Sequence, residues 1–362
     1  MKQPTPSFSW KKITESKLFF PLTALAIILL FDLIFIPNFF NIQVRDGNLY
    51  GNLIDIMRNG ATVSLLAIGM TLVIAIGGVD LSVGAVMAIS ASVAALMMNP
   101  YVLATQLSPE TQRLISDPNF TNSPLWLVIV VTLFIASLCG LWNGVLVSYA
   151  KIQPMVATLI LMIAGRGIAQ LITNGVRIQI FYEPFSFIAN GWVVVPFPLY
   201  IVALMFVVTW FLTRRTALGL FIESVGTNAR SSFFSGIDEK KIKLLAYTFC
   251  GFCAGMAGLV ASSNIKTSDA NNIGLSLELD AILAVVIGGT LMSGGRFSLF
   301  ASIIGALVMQ ATTISMYAIG VPANAVMAIK GVVVILVILL YSEQVKEFVR
   351  RLTTPQKKEV QQ

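Results

Sequence analysis

The residues of this chain with potential chemical roles are charged or amide side chains set within long apolar runs. A polar side chain inside an apolar membrane segment is costly, so each one needs a structural or functional reason. Hydrogen bonding to a passing polar solute is the chemistry that such side chains offer, and we predict no catalytic and no metal-binding residue. The candidates for a substrate pathway or gate are Asp80, Asn143, Arg166, Gln170, Glu278 and Asp280.

Two of these candidates, Asp80 and Arg166, have a specific structural alternative. Asp80 lies in a join between two apolar runs that is too short for anything but a tight turn, where Asp80 or Ser82 would cap the next helix. Its functional alternative is a place at the inner gate of a pathway. Arg166 lies in the middle of an apolar run and would either bind a hydroxyl group of a solute or pair with a carboxylate such as Asp280 or Asp80. Of the two, we favour the pairing.

The other polar candidates also have structural explanations. Glu278 and Asp280 flank the start of a short apolar run, where acidic side chains stabilise a helix N-terminus. Asn143, Gln170 and Gln310 would line a hydrophilic path or form hydrogen bonds between helices, which is the commoner use of such residues. Lys330 lies near the middle of the last apolar run, and would be either buried and paired or extended toward the membrane surface.

Composition excludes several classes of function. The chain has 362 residues, of which 56% are hydrophobic and 11% charged, whereas a soluble protein has about 25% charged residues. The absence of histidine excludes His-dependent catalytic triads and His metal ligands, and no GxxxxGK[ST] motif is present to bind ATP. Cys250 and Cys253 lie inside an apolar run, so we interpret them as small packing residues. The net charge of +7 does not indicate nucleic acid, because the Lys/Arg residues lie mainly between apolar runs.

The positioning elements are apolar runs of the length that a bilayer requires. We predict an all-α membrane protein of about ten transmembrane helices, in one domain over residues 18–341, with cytoplasmic tails at 1–17 and 342–362. The first run lacks a cleavage site and is read as an uncleaved span, and the short eighth run is a possible partial or broken helix. The runs are residues 18–36, 60–76, 82–98, 125–150, 155–173, 193–213, 244–263, 279–291, 297–319 and 323–341.

The orientation follows from a basic loop at residues 214–243, which holds six Lys/Arg residues. Lys and Arg accumulate on the cytoplasmic side of membrane proteins. With both termini cytoplasmic, seventeen Lys/Arg residues fall inside and five outside. Spans two to five and seven to ten then run in opposite senses, which suggests an inverted repeat. Glycines four residues apart, at 140 and 144 and at 251 and 255, predict close helix packing.

Two motifs resemble the permease subunits of bacterial ribose-type sugar ABC importers. The first is GMTLVI at 69–74 with GGVDLSVG at 77–84, and the second is LDAILAVVIGGT at 279–290 with GGR at 294–296. Within that family, IQP at 152–154 and DANN at 269–272 are most similar to the galactofuranose importer permease. The basic loop resembles the cytoplasmic coupling loop, although Ser231-Ser232 replaces the usual paired alanines. The coupling positions implied by this resemblance are Gly219, Glu223, Gly226, Asn228 and Gly236.

The resemblance implies a type II-like ABC importer permease in the bacterial inner membrane, surrounded by lipid. Its partners would be a second permease, either the same or a related chain, a periplasmic sugar-binding protein, and an ATPase with two nucleotide-binding domains. ATP-Mg would bind to the ATPase, and this chain itself would bind no cofactor. The sugar, galactofuranose or one like ribose or galactose, would cross by alternating access. We expect residues 223–236 to form the coupling helix.

Three other functions are compatible with a polytopic membrane chain. An ion-gradient-driven sugar transporter is the first alternative, although titratable residues within the spans are few. An intramembrane enzyme is the second, but the chain has no histidine and no paired intramembrane aspartates. A scaffold or receptor without transport is the third. Dependence of uptake on ATP and on a separate ATPase distinguishes the importer from all three.

Overall fold

The computed structural model describes residues 18–45, 48–100, 110, 113, 117 and 120–341. Both predicted cytoplasmic tails, residues 1–17 and 342–362, therefore lie outside the described part of the chain. The described residues include thirteen helices: α1 Phe19–Phe35, α2 Asn52–Ala75, α3 Val83–Met98, α4 Leu125–Ser148, α5 Pro154–Ile172, α6 Glu183–Asn190, α7 Phe197–Arg214, α8 Leu218–Thr227, α9 Ala229–Phe234, α10 Glu239–Ile265, α11 Leu277–Ile287, α12 Leu299–Ala318 and α13 Ala323–Tyr341. They also include four short strands, β1 Gln43–Arg45, β2 Asn48–Tyr50, β3 Ile178–Gln179 and β4 Thr267–Ser268. β1 pairs with β2 and β3 with β4, both antiparallel.

Each predicted apolar run coincides with a helix. Six of them, α2, α4, α5, α7, α10 and α12, are long and apolar enough to cross a membrane. The predicted all-α membrane class is confirmed, whereas the count of ten spans and the inverted repeat stay predictions. α11 has 11 residues and is therefore about 16 Å long, roughly half the thickness of a hydrocarbon core. This length agrees with the partial helix considered for the eighth run.

Two of the expected polar connections contain additional helix. α2 begins at Asn52, inside the polar connection between the first two apolar runs, where Ile54 and Ile56 are buried and Asp55 pairs with Arg58 at 3.1 Å. The loop expected over residues 174–192 contains α6, whose Phe185 is buried against the end of α10. In both segments a short amphipathic pattern was hidden by the surrounding polar residues.

The centre of the bundle is formed by α2, α3, α10 and α12. Of the 18 residues in the apolar stretch of each helix, 78% are buried in α2 and in α12, against 22% in α4. The predicted glycine packing is confirmed, because Gly140 of α4 faces Gly251 of α10 so closely that a side chain on Gly140 would collide with the carbonyl of Tyr247. Cys250 and Cys253 are buried, free thiols beside Gly69 of α2, which agrees with a packing role.

The connections gather at two ends of the bundle. At one end, the N–H of Gly295 donates to the carbonyl of Ala75 at 2.8 Å, and Gly226 packs against the same carbonyl. We call this the inner end, because these contacts join three segments that were predicted to be cytoplasmic. At the outer end, β3 pairs with β4, which joins two loops predicted to face outward.

Candidate functional site

Asp80 and Asn143 lie together in a buried hydrogen-bond cluster at the start of α3. Asp80 is only 1% exposed. Its Oδ1 accepts hydrogen bonds from Ser82 N at 2.9 Å, from Ser82 Oγ at 2.6 Å and from Asn143 Nδ2 at 3.3 Å. A bond to the N–H two residues ahead is the local turn that short acidic side chains favour. Asp80 therefore holds the turn before α3 and ties it to α4, and its role as a gate stays a prediction.

Arg166 binds backbone carbonyls, so the predicted pairing with Asp280 or Asp80 is wrong. Its Nη1 donates to Ala270 O at 3.0 Å and to Ile273 O at 2.6 Å. These carbonyls belong to the loop between β4 and α11, residues 269–276. The planar guanidinium carries several N–H donors in a fixed fork, so it can bind two carbonyls of one loop at the same time. Arg166 thus fastens this loop to the middle of α5.

Gln170 acts on the same loop from one turn further along α5. Its Nε2 donates to Asn271 Oδ1 at 2.6 Å. The loop is also shaped from within by Asp269, which accepts the N–H of Asn271 at 3.0 Å and pairs with Arg177 at 2.7 Å. Although burial disfavours ionisation of Asp269, hydrogen bonds from Asn272 and Asn271 and the charge of Arg177 outweigh it and lower the pKa of this carboxyl.

The two acidic residues of α11 have different surroundings. Glu278 is 6% exposed and packs beside Gly84 of α3. Asp280 Oδ2 accepts a hydrogen bond from Lys330 Nζ at 2.7 Å, with 13% and 17% of the two side chains exposed. This ion pair ties α11 to α13 and shows that Lys330 is paired. The six pathway candidates therefore do not form one continuous row. Asp80 contacts Asn143, Arg166 and Gln170 hold the loop 269–276, Glu278 packs beside α3, and Asp280 pairs with α13.

The basic loop at residues 214–243, which we call the coupling segment, contains two short helices, α8 and α9. The single helix predicted over residues 223–236 is therefore wrong. Asn228 has an extended backbone, with φ −159° and ψ 98°, and this conformation ends α8. Its side-chain oxygen accepts the N–H of Ser231 at 3.0 Å and caps α9. A hydrogen bond of 2.8 Å between the hydroxyls of Ser224 and Ser232 joins the two helices. The departure from paired alanines therefore adds a polar contact.

Three glycines of the coupling segment permit close backbone contacts or an unusual backbone angle. A side chain on Gly226 would collide with the carbonyl of Ala75 at the end of α2, and one on Gly219 would collide with the carbonyl of Thr213. Gly236 has a φ of +82°, which glycine adopts without strain. Glu223 is half-buried on α8. The segment is thus joined directly to α2, one of the most buried helices.

An apolar surface lies at the inner end and was not predicted from the sequence. Leu220, Phe233 and Phe234 are 66%, 65% and 79% exposed, and we call these three residues the coupling surface. They lie on α8 and α9, on the side of the bundle predicted to face the cytoplasm. The sequence did offer one indication of this surface, namely two consecutive phenylalanines within a basic loop. Exposed apolar residues that lie together commonly mark a site where a partner binds.

A second feature that was not predicted is a cavity of about 330 Å³ in the outer half of the bundle, lined by both apolar and polar residues, which we call the outer cleft. It lies between α2, α10, α12, the start of α11 and the loop 269–276. Its apolar lining residues are Val63, Ala261, Ile265, Ile273 and Leu277. Its polar lining residues are Asn59, Thr62, Asn264, Asp269, Asn272 and Gln310. Within the part of the chain that the structure describes, no group of three His, Cys, Asp or Glu residues could hold a metal ion.

The chain matches a family of permeases and several named sugar permeases. The family model for "Branched-chain amino acid transport system / permease component" matches residues 52–338. The chain is 45% identical to the galactofuranose transporter permease protein YtfT of Escherichia coli over 325 residues, which cover 89% of each chain. It is 35% identical to the fructose import permease protein FruF of Bifidobacterium longum, over 92% of this chain and 90% of the relative.

A third relative is the ribose import permease protein RbsC of Haemophilus influenzae, 32% identical over 84% of this chain and 86% of the relative. No solved structure matches the chain significantly. The family match covers most of the chain and includes both motifs, the coupling segment and the outer cleft. The chain is therefore a membrane-embedded component of a transporter and not an enzyme. It belongs to the family described as "Branched-chain amino acid transport system / permease component".

Proposed function

We propose that this chain is the permease subunit of an ABC importer that carries a monosaccharide across the bacterial inner membrane, with galactofuranose as the first candidate. The named relatives import galactofuranose, fructose and ribose, and the relative at 45% identity is the galactofuranose permease. The observation that carries the proposal is the coupling surface, since it is an exposed apolar patch on a segment joined to the buried core. Such a patch is suited to docking a separate energy-supplying subunit.

The contacts of the coupling segment suggest how movement would spread. The Ser224–Ser232 hydrogen bond and the cap at Asn228 make α8 and α9 one unit. Gly226 joins that unit to Ala75, and Gly295 donates to the same carbonyl. A displacement of the coupling surface would therefore reach the end of α2 and the turn before α12 together. The Asp80 turn follows α2 directly, so it lies next along this route as the proposed inner gate.

The proposal includes a topology and a set of partners. Ten crossings with cytoplasmic termini, arranged as two inverted repeats, agree with the segments gathered at each end of the bundle. The partners are an ATPase with two nucleotide-binding domains, a periplasmic sugar-binding protein, a second permease of the same or a related kind, and membrane lipid. ATP-Mg binds to the ATPase, and this chain supplies the pathway. Alternating access then requires that ATP-bound and ATP-free states bind the sugar with different affinities.

Co-purification from detergent-solubilised membranes, followed by mass spectrometry and by uptake assays in proteoliposomes, tests the proposal. We expect recovery of an ATPase with two nucleotide-binding domains and of a permease partner, and sugar uptake that requires ATP. The same measurement distinguishes a homodimer of permeases from a mixed pair. Uptake by this chain alone, driven by an ion gradient, would overturn the proposal and support the secondary-transporter alternative.

The coupling surface gives a sharper prediction. We expect the double variant Phe233→Ala, Phe234→Ala to weaken binding of the ATPase at least about tenfold, because large exposed aromatic anchors dominate the energy of an interface. The permease should remain folded, since both rings are mostly exposed. Phe181→Ala, an exposed phenylalanine at the outer end, is the matched control. Equal ATPase recovery from the double variant and the control would show that the coupling surface is not the docking site.

A further inference from the structure

The outer cleft brings together polar side chains from parts of the chain that are far apart. Asn59 and Thr62 come from α2, Asn264 from α10 and Gln310 from α12. Asn264 Nδ2 donates to Asn59 Oδ1 at 3.1 Å, across 205 positions of sequence. Polar side chains in a membrane protein are expensive unless they face a polar ligand, water or one another. Their convergence on one cavity needs an explanation that helix packing alone does not give.

The lining is chemically complementary to a neutral, polyhydroxylated ligand. Amide side chains both donate and accept hydrogen bonds, which suits hydroxyl groups that do the same. The single charged lining residue, Asp269, is paired with Arg177 at 2.7 Å, so the cleft does not present an unbalanced charge to a ligand. The lining also includes apolar residues such as Val63 and Ile273, which suit the C–H face of a sugar ring.

The size and position of the cleft agree with a transient site. Its volume of about 330 Å³ is at the lower end of the range for small-molecule pockets, about 300–1,000 Å³. The side chains of Gln310 and Thr62 have no hydrogen-bond partner within the described residues. The lining includes no aromatic side chain for a sugar to stack on, which favours weak binding and rapid release.

We propose that the outer cleft is a low-affinity binding site for a neutral monosaccharide during its passage through the permease, with Gln310 and Thr62 as hydrogen-bonding residues. This inference rests on the proposed sugar-import function and locates one step of it. It also assigns a role to the loop 269–276, which forms one wall of the cleft. Arg166 and Gln170 then serve as positioning residues, because they hold that loop from α5.

The test uses the complete importer, reconstituted in proteoliposomes with its ATPase, permease partner and sugar-binding protein. Gln310→Leu and Thr62→Val remove hydrogen-bonding groups with little change in size. Gln179→Leu makes the same change as the first variant at an exposed position of β3, at the outer end, and is the matched control. The probes are radiolabelled galactofuranose and ribose, with leucine as a competitor, because a site for branched-chain amino acids would bind leucine instead. Co-purification of the ATPase reports correct folding and assembly.

We expect ATP-driven uptake to fall about two- to tenfold in each cleft variant, the factor expected for one lost neutral hydrogen bond. The ratio of galactofuranose to ribose uptake should also change, which a purely structural defect would not cause, and leucine should not compete. If Gln310→Leu fails to assemble, the Thr62→Val variant decides the outcome.

Three results would overturn the inference, and they are distinguishable. Wild-type import with unchanged rates and sugar ratios in both cleft variants would remove the cleft from the pathway and leave the proposed function intact. Failure of the wild-type complex to import either sugar with ATP would reject the function and the cleft together. Competition by leucine would likewise reject a site selective for sugars.

Discussion

Arg166 provides the sharpest test of how the polar residues of the bundle are used. It was a pathway candidate, but its guanidinium donates to two backbone carbonyls, Ala270 O and Ile273 O. If that is its main role, replacement should destabilise the protein before it affects selectivity. Arg166→Met removes both hydrogen bonds while keeping most of the apolar stem. Arg166→Lys keeps the positive charge but loses the planar set of N–H donors of the guanidinium.

The expected magnitude follows from these two bonds. A hydrogen bond from a charged donor contributes about 1.5–3 kcal/mol, so two of them contribute about 3–6 kcal/mol. Arg166 is partly exposed, and water can replace part of each bond, so we expect the lower half of that range for Arg166→Met. Lysine can reach one of the two carbonyls, and its variant should lose about half as much. We therefore expect the free energy of unfolding to be highest for wild type, lower for Arg166→Lys and lowest for Arg166→Met.

The assay is unfolding from mild detergent micelles by sodium dodecyl sulfate, followed by circular dichroism. Arg230→Met is the control, because Arg230 is exposed on α9 and its replacement should be nearly neutral. A change for Arg166→Met no larger than about 0.5 kcal/mol, the range of ordinary surface substitutions, would refute the reasoning. Full stability combined with altered sugar selectivity would restore Arg166 to the pathway.

Two further predictions concern ion pairs. Asp280→Asn or Lys330→Met should each destabilise the fold by about 3–5 kcal/mol, since a lone charge would remain largely buried. The exchange Asp280→Lys with Lys330→Asp should recover part of that loss in the same unfolding assay. An exchange no more stable than the sum of the single changes would contradict the pairing. Asp269 has a lowered pKa in the folded protein, so its contribution is present above its unfolded pKa of about 3.9 and is lost as the pH falls through the folded value. Wild type should therefore lose more stability than Asp269→Asn between pH 7 and pH 3, and equal losses would exclude this role.

Much of the architecture was predictable from local patterns. The length of an apolar run reflects the thickness of a bilayer, and the placement of Lys and Arg reflects its two sides, so the helices and their two ends were accessible from composition alone. The motifs at 69–84 and 279–296 indicated the family, which the match over residues 52–338 confirmed. The glycines at 140 and 251 predicted close packing, although their mutual contact was not predictable.

The tertiary structure alone decided which polar groups meet. Arg166 binds Ala270 across 104 positions, Lys330 pairs with Asp280 across 50, and Asn264 bonds to Asn59 across 205. A charge within an apolar run signals that a partner exists, but several partners satisfy the same requirement. The choice depends on how the helices pack and rotate against one another, and that is a property of the whole core. For the same reason the outer cleft, built from four helices and a loop, has no signature in any single segment.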